Sequence, residues 1–277
     1  MNKRQPQRLS PSQLTETDRL RRKRRNAVAK AVQGMMGQSW VMRGMLHAQL
    51  GLREGASTAV AGFALHPAWA QQCWGHKLVV HVAVEIIRHY LADWLEVGGR
   101  RIHTSDFFLA YGAGIEQVKY DIERLNVLKE ARELMAASWD FQRTDAYAQM
   151  VHAIGQQRSV MRQQVKLDTL EKVEAYFLRF HALYKSVIDH GLLSNRDVVS
   201  ELGQAPDREI GIALGRDGGL VKLHGGQHRF ALAVAQGMKT IPVELRMVHA
   251  DVVASACRAH QCSAVEAVEI LARNLRH

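Results

Sequence analysis

Apolar positions recur at two different spacings along this chain. From Ile115 to Ala137, Val118, Ile122, Leu125, Leu128, Ala131 and Met135 follow one another at steps of three or four, in a stretch dense in Glu, Lys, Arg and Leu. That stripe predicts an amphipathic helix. A second long helix is predicted from Asp168 through Val173, Phe177, Phe180, Leu183, Tyr184 and Val187. Asp168 with Glu171 three residues on has the form of a capping box, and Gly191 is a suitable residue just past the end. Leu78 to Leu95 reads as a helix with Val79, Val82, Ile86, Tyr90 and Trp94 roughly on one face, and its β-branched content keeps a strand open for the first half. A short helix is expected from Asp145 to Ile154, and the polar, basic segment from Gly155 to Lys166 reads as a loop or domain boundary.

After Gly191 the period shortens. Glu209–Leu214 reads as a strand, Asp217-Gly218 as a tight turn, and Leu220–Leu223 as the returning strand. Gly225-Gly226-Gln227-His228-Arg229 then opens a helix over about Phe230–Gln236 that Gly237 closes. Thr240–Leu245 is a further short strand, in which Pro242 indicates a sheet edge or a strand start. Two helices follow, the last capped by Ser263 with Glu266. The fold class expected is α+β: a predominantly helical N-terminal half, then a small α+β domain. The boundaries expected are a disordered basic tail over 1–30, a mostly helical region over 31–155, an α+β domain over 168–252 and C-terminal helices over 253–277.

Composition narrows the classes. The 277 residues are 47% hydrophobic and 23% charged, which excludes a disordered or collagen-like chain. Three cysteines are too few for a disulfide framework, so a reducing, cytoplasmic compartment is expected. The run from Leu78 to Leu95 carries Glu85, Arg88 and Asp93, and no segment reads as membrane-spanning. No apolar stretch backs the N-terminal basic cluster, so no secretory signal is expected. Of the net charge of +10, eight charges fall in the first thirty residues, where ten basic side chains face Glu16 and Asp18. By charge alone this tail, with Arg21-Arg22-Lys23-Arg24-Arg25, suits nucleic acid or an anionic membrane surface, or it is a solubilising tail.

The strand–glycine–helix unit at 220–236 carries the sharpest chemical signal. Adjacent glycines let backbone N–H groups converge on one point, and the helix that follows aims its positive end there. His228 and Arg229 add donors in the first turn, and an arginine can hold two phosphate oxygens at once. The unit is neither a Walker A loop nor a dinucleotide fingerprint, since Gly-Lys-Ser/Thr and G-x-G-x-x-G are both missing. The plain alternative is a Gly-Gly turn with Arg229 paired to an acid. Two groups have metal-ligand spacing: His81, Glu85 and His89 on one helix face, and Cys257, His260 and Cys262. Neither supplies a complete ligand set, so no metal site is assigned from the sequence.

Leu223-His224-Gly225-Gly226-Gln227-His228-Arg229-Phe230-Ala231, then Ala235-Gln236-Gly237, then Ile241-Pro242-Val243, resembles the phosphate-binding core of the ParB/sulfiredoxin superfamily. Leu183-Tyr184-Lys185-Ser186-Val187-Ile188-Asp189-His190-Gly191-Leu192-Leu193 resembles the helix-then-glycine element that begins those domains, and the resemblance covers about 168–252. A looser likeness from Trp139-Asp140 onward is to ParB-like proteins found with surface-polysaccharide genes. The resemblance implies that Gly226, His228 and Arg229 contact nucleotide phosphates, with Gly225 and Gln227 shaping the loop. It implies ATP, CTP or another nucleoside triphosphate, with Mg2+.

Departures are equally informative. Sulfiredoxins carry their reactive cysteine where this chain has Gln227, so sulfinic-acid reduction is not expected. ParB-like serine kinases have an Asp where this chain has Gly225, and the helix-turn-helix domain of partition proteins exceeds residues 250–277. Two readings follow. One is a phosphotransferase or nucleotide hydrolase acting on a small molecule or glycan precursor, with Asp189, Glu201, Asp207 and Glu209 as candidate bases. The other is a non-enzymatic, nucleotide-controlled DNA-binding or adaptor module that uses the basic tail.

Overall fold

The protein is described by a computed structural model over residues 7–8, 15–35, 62–97, 100–112, 115–116, 118–162, 165–195, 197 and 209–276. Its class is α+β. The chain divides into two compact units, both discontinuous: 1–121 with 207–225 and 240–277, and 122–206 with 226–239. The segment 168–252, expected as one domain, is therefore shared between them.

The first unit is built on a mixed sheet. Its strands are β2 (Gly62–Ala64), β3 (Val79–Ala83), β4 (His89–Leu91), β7 (Leu109–Tyr111), β8 (Lys119–Asp121), β11 (Ile210–Leu214), β12 (Leu220–Lys222) and β13 (Thr240–His249). They run in the order β2-β7-β13-β11-β12-β4-β8, with β3 also paired to β13. The β11–β12 hairpin around Asp217-Gly218 forms as expected, Ala213 facing Val221. β13 is longer than expected and is no edge: it lies parallel to β11 and β7 and antiparallel to β3, where Pro242 faces His81. A small second sheet joins β1 (Gln7–Arg8), β5 (Trp94–Val97) and β6 (Arg100–His103).

The helical reading of Leu78–Leu95 is corrected by β3, β4 and β5. Val80 and Val82 are buried while His81 between them is exposed, the alternation of a half-buried strand. Short strands fill most of 79–121 among the described residues, where the expected N-terminal region is mostly helical. The predicted helix at Ile115–Ala137 shrinks to α3 (Asn126–Ala136), because Lys119–Asp121 pairs with β4 instead. Part of the expected disordered tail is also ordered. Helix α1 (Glu16–Met35) puts the Arg22 guanidinium 3.0 and 3.1 Å from the two oxygens of buried Asp106, and the Asp18 carboxylate accepts from Arg101 at 2.8 Å.

Three more helices complete this unit. α2 (Pro67–Trp74) starts with proline behind the cap His66. α7 (Ala250–His260) follows β13 directly, and α8 (Ala264–Asn274) carries the expected capping box, Ser263 and Glu266 satisfying each other's backbone N–H.

The second unit packs four helices: α3, α4 (Asp145–Gly155), α5 (Leu170–His190) and α6 (Gln227–Ala235). Thr169, one residue later than expected, caps α5 by accepting from Lys172 N; Asp168 instead accepts from the Lys172 side chain at 2.6 Å. Gly191 ends the helix at φ 75°, as its position predicts. The expected loop at Gly155–Lys166 contains a hairpin, β9 (Val160–Arg162) with β10 (Val165–Leu167).

That hairpin supplies the cation for a buried carboxylate. Arg162 Nε donates to Glu130 Oε1 at 2.8 Å, and Tyr176 Oη donates to Glu130 Oε2 at 2.6 Å. His228 Nε2 lies 2.9 Å from the same Tyr176 oxygen. Since the Tyr176 proton goes to Glu130, His228 must be the donor, which fixes its Nε2–H tautomer. One chain of hydrogen bonds thus ties α6, α5, α3 and β9. Burial, then the positive charge of Arg162 and Arg179, pushes the His228 imidazole down to about 4.

Two predictions follow from this packing. Because the folded-state value of His228 lies below the ordinary value of 6.5, the neutral ring's contribution is complete above about pH 6.5. It is lost as the pH falls towards about 4, by at most about 1.4 kcal/mol per pH unit. Unfolding free energy measured from pH 7.5 to 4 should fall less steeply, by about one proton, in His228→Gln than in the wild type; equal slopes refute the assignment. Arg22→Ala, which takes the two Arg22 hydrogen bonds from the buried Asp106 carboxylate, should destabilise the protein by about 1–3 kcal/mol in chemical denaturation, whereas loss of a detached tail would leave the midpoint unchanged.

Candidate functional site

The loop singled out by the sequence begins at the end of β12. Lys222 is fully enclosed, and burial, then the charge of Arg246, brings its amine down to about 7. Its Nζ donates to the carbonyls of Leu223 and Gly225, the latter at 2.5 Å. The amine therefore holds the turn by its carbonyl side. Gly225 lies at φ 98° and Gly226 at φ 60°, both in the region that disfavours a Cβ. Gly226 is the N-cap of α6 and offers no side chain to its amides. The N–H groups of Gln227, His228 and Arg229 occupy the first turn, where no intrahelical acceptor exists.

The side chains of this turn divide. Gln227 is half-buried. His228 and Arg229 are buried and turned inward: His228 to Tyr176, Arg229 to Asn195 Oδ1 at 3.0 Å and to the Leu193 carbonyl. Arg229 thus braces α6 against the segment after α5. Leu193 and Asn195 flank Ser194, whose Oγ donates to Asp197 at 2.6 Å. Of the candidate bases, Asp189 is exposed in the last turn of α5, Glu209 is buried at the start of β11, and Glu201 and Asp207 lie outside the described residues.

Neither metal spacing weighed from the sequence gathers its members. His81, Glu85 and His89 lie on β3, a turn and β4 rather than on one helix face. Among the described residues, a different trio brings three ligand-type atoms within 4.8 Å of one another: Asp93, His103 and His224. Asp93 precedes β5, His103 ends β6 and His224 follows β12 by two residues. His224 Nδ1 lies 3.2 Å from Asp93 Oδ2, and the two imidazoles meet edge to face at 5.3 Å.

The surroundings fix each group. His103 Nδ1 takes the Ser105 hydroxyl at 2.7 Å and the Ser105 N–H at 3.2 Å, while Arg22 donates to that hydroxyl at 3.1 Å. Burial, then the charge of Arg22, drives the His103 ring down to about 3, so it stays neutral at ordinary pH. Burial pushes the Asp93 carboxyl up, but the hydrogen bond and charge of His224 outweigh it and hold the group below its usual value. The His224 carbonyl accepts from Arg246 at 3.2 Å and reaches it across Gly211, where a Cβ would stand 2.9 Å from that carbonyl oxygen.

The sequence reading named His224 only as part of a motif and missed Asp93, His103 and Lys222. No local spacing connects residues 131 positions apart. Comparison with family models finds none that matches, and neither the curated proteins nor the solved structures compared with the chain give a match.

Proposed function

We propose that the protein binds the phosphate groups of a nucleoside triphosphate, ATP or CTP with Mg2+, at the first turn of α6, in the manner of a ParB/sulfiredoxin-type domain. The observation that carries this reading is the pair of glycines at positive φ, ending in Gly226 as a helix N-cap with no side-chain acceptor. An anion at that point meets the backbone of the first turn and the positive end of the helix. Backbone amides of Gln227, His228 and Arg229 are the donors in this reading. The inward side chains of His228 and Arg229 hold the turn in shape. Phosphoryl transfer or nucleotide hydrolysis is the activity such binding serves, and among the described acids Asp189 is the exposed candidate base.

A second reading rests on α1. Arg19, Arg21, Lys23 and Arg24 are exposed on it, while Arg22 is engaged with Asp106. Such a face suits duplex DNA or an anionic surface, with nucleotide binding as a control. Titration with ATP and CTP, with and without Mg2+, and with duplex DNA at two salt concentrations separates the readings: turnover without DNA favours the enzyme, and salt-steep DNA binding the adaptor.

Two variants test the phosphate loop itself. Gly226→Ala places a Cβ at φ 60° at a cost of about 1–2 kcal/mol, and Gly226→Val adds β-branching. Nucleotide affinity should fall about ten-fold in the first and further in the second, read by calorimetry on variants whose circular dichroism matches the wild type. Undiminished affinity in a folded Gly226→Val refutes the loop assignment. Arg229→Ala should lower the unfolding free energy by about 1–3 kcal/mol, since it strips the donors from Asn195 and Leu193. An unchanged midpoint would show that the guanidinium does not brace the turn.

A further inference from the structure

We propose that Asp93, His103 and His224 form a binding site for a divalent transition-metal ion of the zinc class. The three residues come from three separate segments, yet their ligand atoms lie within 4.8 Å of one another. Two imidazoles and one carboxylate are a borderline N/O donor set, which favours Zn2+, Co2+ or Fe2+ over Mg2+ or Ca2+, whose sites are built of oxygen. With metal–ligand bonds of about 2.0–2.2 Å, two donors on a tetrahedral ion stand about 3.3 Å apart. His224 Nδ1 and Asp93 Oδ2 are already 3.2 Å apart, so an ion would replace the proton they share.

The outer partners of His103 decide which of its nitrogens an ion would take. Ser105 takes the Nδ1 side of His103, which leaves Nε2 as the nitrogen for an ion. For Nε2 to ligate, the ring proton moves to Nδ1 and is donated to Ser105 Oγ at 2.7 Å, at the expense of the 3.2 Å bond that the Ser105 N–H makes to Nδ1. Arg22 holds that oxygen in turn at 3.1 Å. A ligating histidine whose second nitrogen is fixed by a protein oxygen is the usual arrangement of a metal site. Of the nearby cations, Arg22 pairs with Asp106, Arg246 with Glu244 at 2.5 Å, and Lys222 donates to two carbonyls, while the charge of Arg22 still reaches His103 and that of Lys222 reaches Asp93. Asp93 brings the trio its one negative charge. Three protein ligands leave a coordination position for water or a substrate oxygen, the pattern of a catalytic rather than a structural ion.

The test uses the full chain, stripped by chelator and free of nucleotide, so that its outcome is independent of the phosphate-loop reading. Co2+ is titrated by visible absorption, and Zn2+ by competition with a chromophoric chelator. The wild type should take up one equivalent of Co2+ with the intense d–d bands of a four- or five-coordinate site, displaced by Zn2+ and untouched by excess Mg2+. His224→Ala and Asp93→Ala, both at half-buried positions, should abolish the spectrum and weaken Zn2+ binding at least about a hundred-fold. Ser105→Ala, which keeps all three ligands, should weaken it about ten- to a hundred-fold and covers the case in which a ligand variant does not fold. No saturable Co2+ spectrum in the wild type, or an unchanged spectrum and Zn2+ affinity in His224→Ala, overturns the proposal.

Discussion

An amine enclosed at the end of a strand needs acceptors, and the chain after Lys222 is shaped to provide them. Within the turn its Nζ donates to the carbonyls of Leu223 and Gly225, which point back towards β12. Aiming a carbonyl backwards one residue before a helix forces φ to positive values, and Gly225 and Gly226 accept this without a Cβ penalty. The helix then starts without a side-chain cap, because the residue at its N-cap position has to be the glycine that completes the turn. One buried amine thus accounts for the glycine pair and for the uncapped helix end behind the phosphate-binding proposal.

The second unit is organised by the opposite charge. Glu130 is buried on α3 and would be costly without partners. Both of its oxygens are engaged, by Arg162 from the hairpin and by Tyr176 from α5, and Tyr176 passes the chain on to His228. The hairpin strands 160–162 and 165–167 are mostly exposed or half-exposed, with Leu167 as their one buried residue. The hairpin's place is set by the ion pair as much as by packing. Aromatic rings complete the unit: Trp139 stacks on Tyr184 at 4.0 Å, and Phe141 on Phe177 at 5.5 Å. The position of His228 in this network explains why it faces inward although it stands in the first turn of α6.

Local signals were legible where local chemistry decides the outcome. The β11–β12 hairpin, the end of α5 at Gly191 and the capping box of α8 all follow from a few adjacent residues. The reading failed where distant pairing overrides a plausible local period. Val79, Val82 and Ile86 fit a helical stripe, but Val80 and Val82 also fit an alternation of two, and pairing with β13 selects the latter. Val118 and Ile122 likewise continue the stripe of α3 backwards, while the backbone of 119–121 pairs with β4. Pro242 signalled an edge or a strand start because it lacks an N–H; β13 is flanked on both sides, and Pro242 stands third from its start. Arg22 sits in a run of five basic residues that looks solvated throughout, and only the distant Asp106 distinguishes it from its neighbours.

The same limit applies to the chemistry. A phosphate loop is a local device, so its glycines can be read from a stretch of five residues. The Asp93, His103 and His224 group is assembled by a discontinuous unit, in which β12 reaches β4 by parallel pairing and β5 meets β6 in a separate sheet. Asp93 lies in the two-residue passage between β4 and β5, so it is carried to whatever stands beside the end of β4. Parallel pairing of Val221 with His89 and of Lys222 with Tyr90 makes the two strands end together, which brings His224 alongside Asp93. The antiparallel pairing of Trp94 with His103 then places the second imidazole one residue from Asp93 in register. Two strand registers, neither of them written in a local motif, are enough to gather the trio. A one-residue slip in either would turn a ligand to the opposite face.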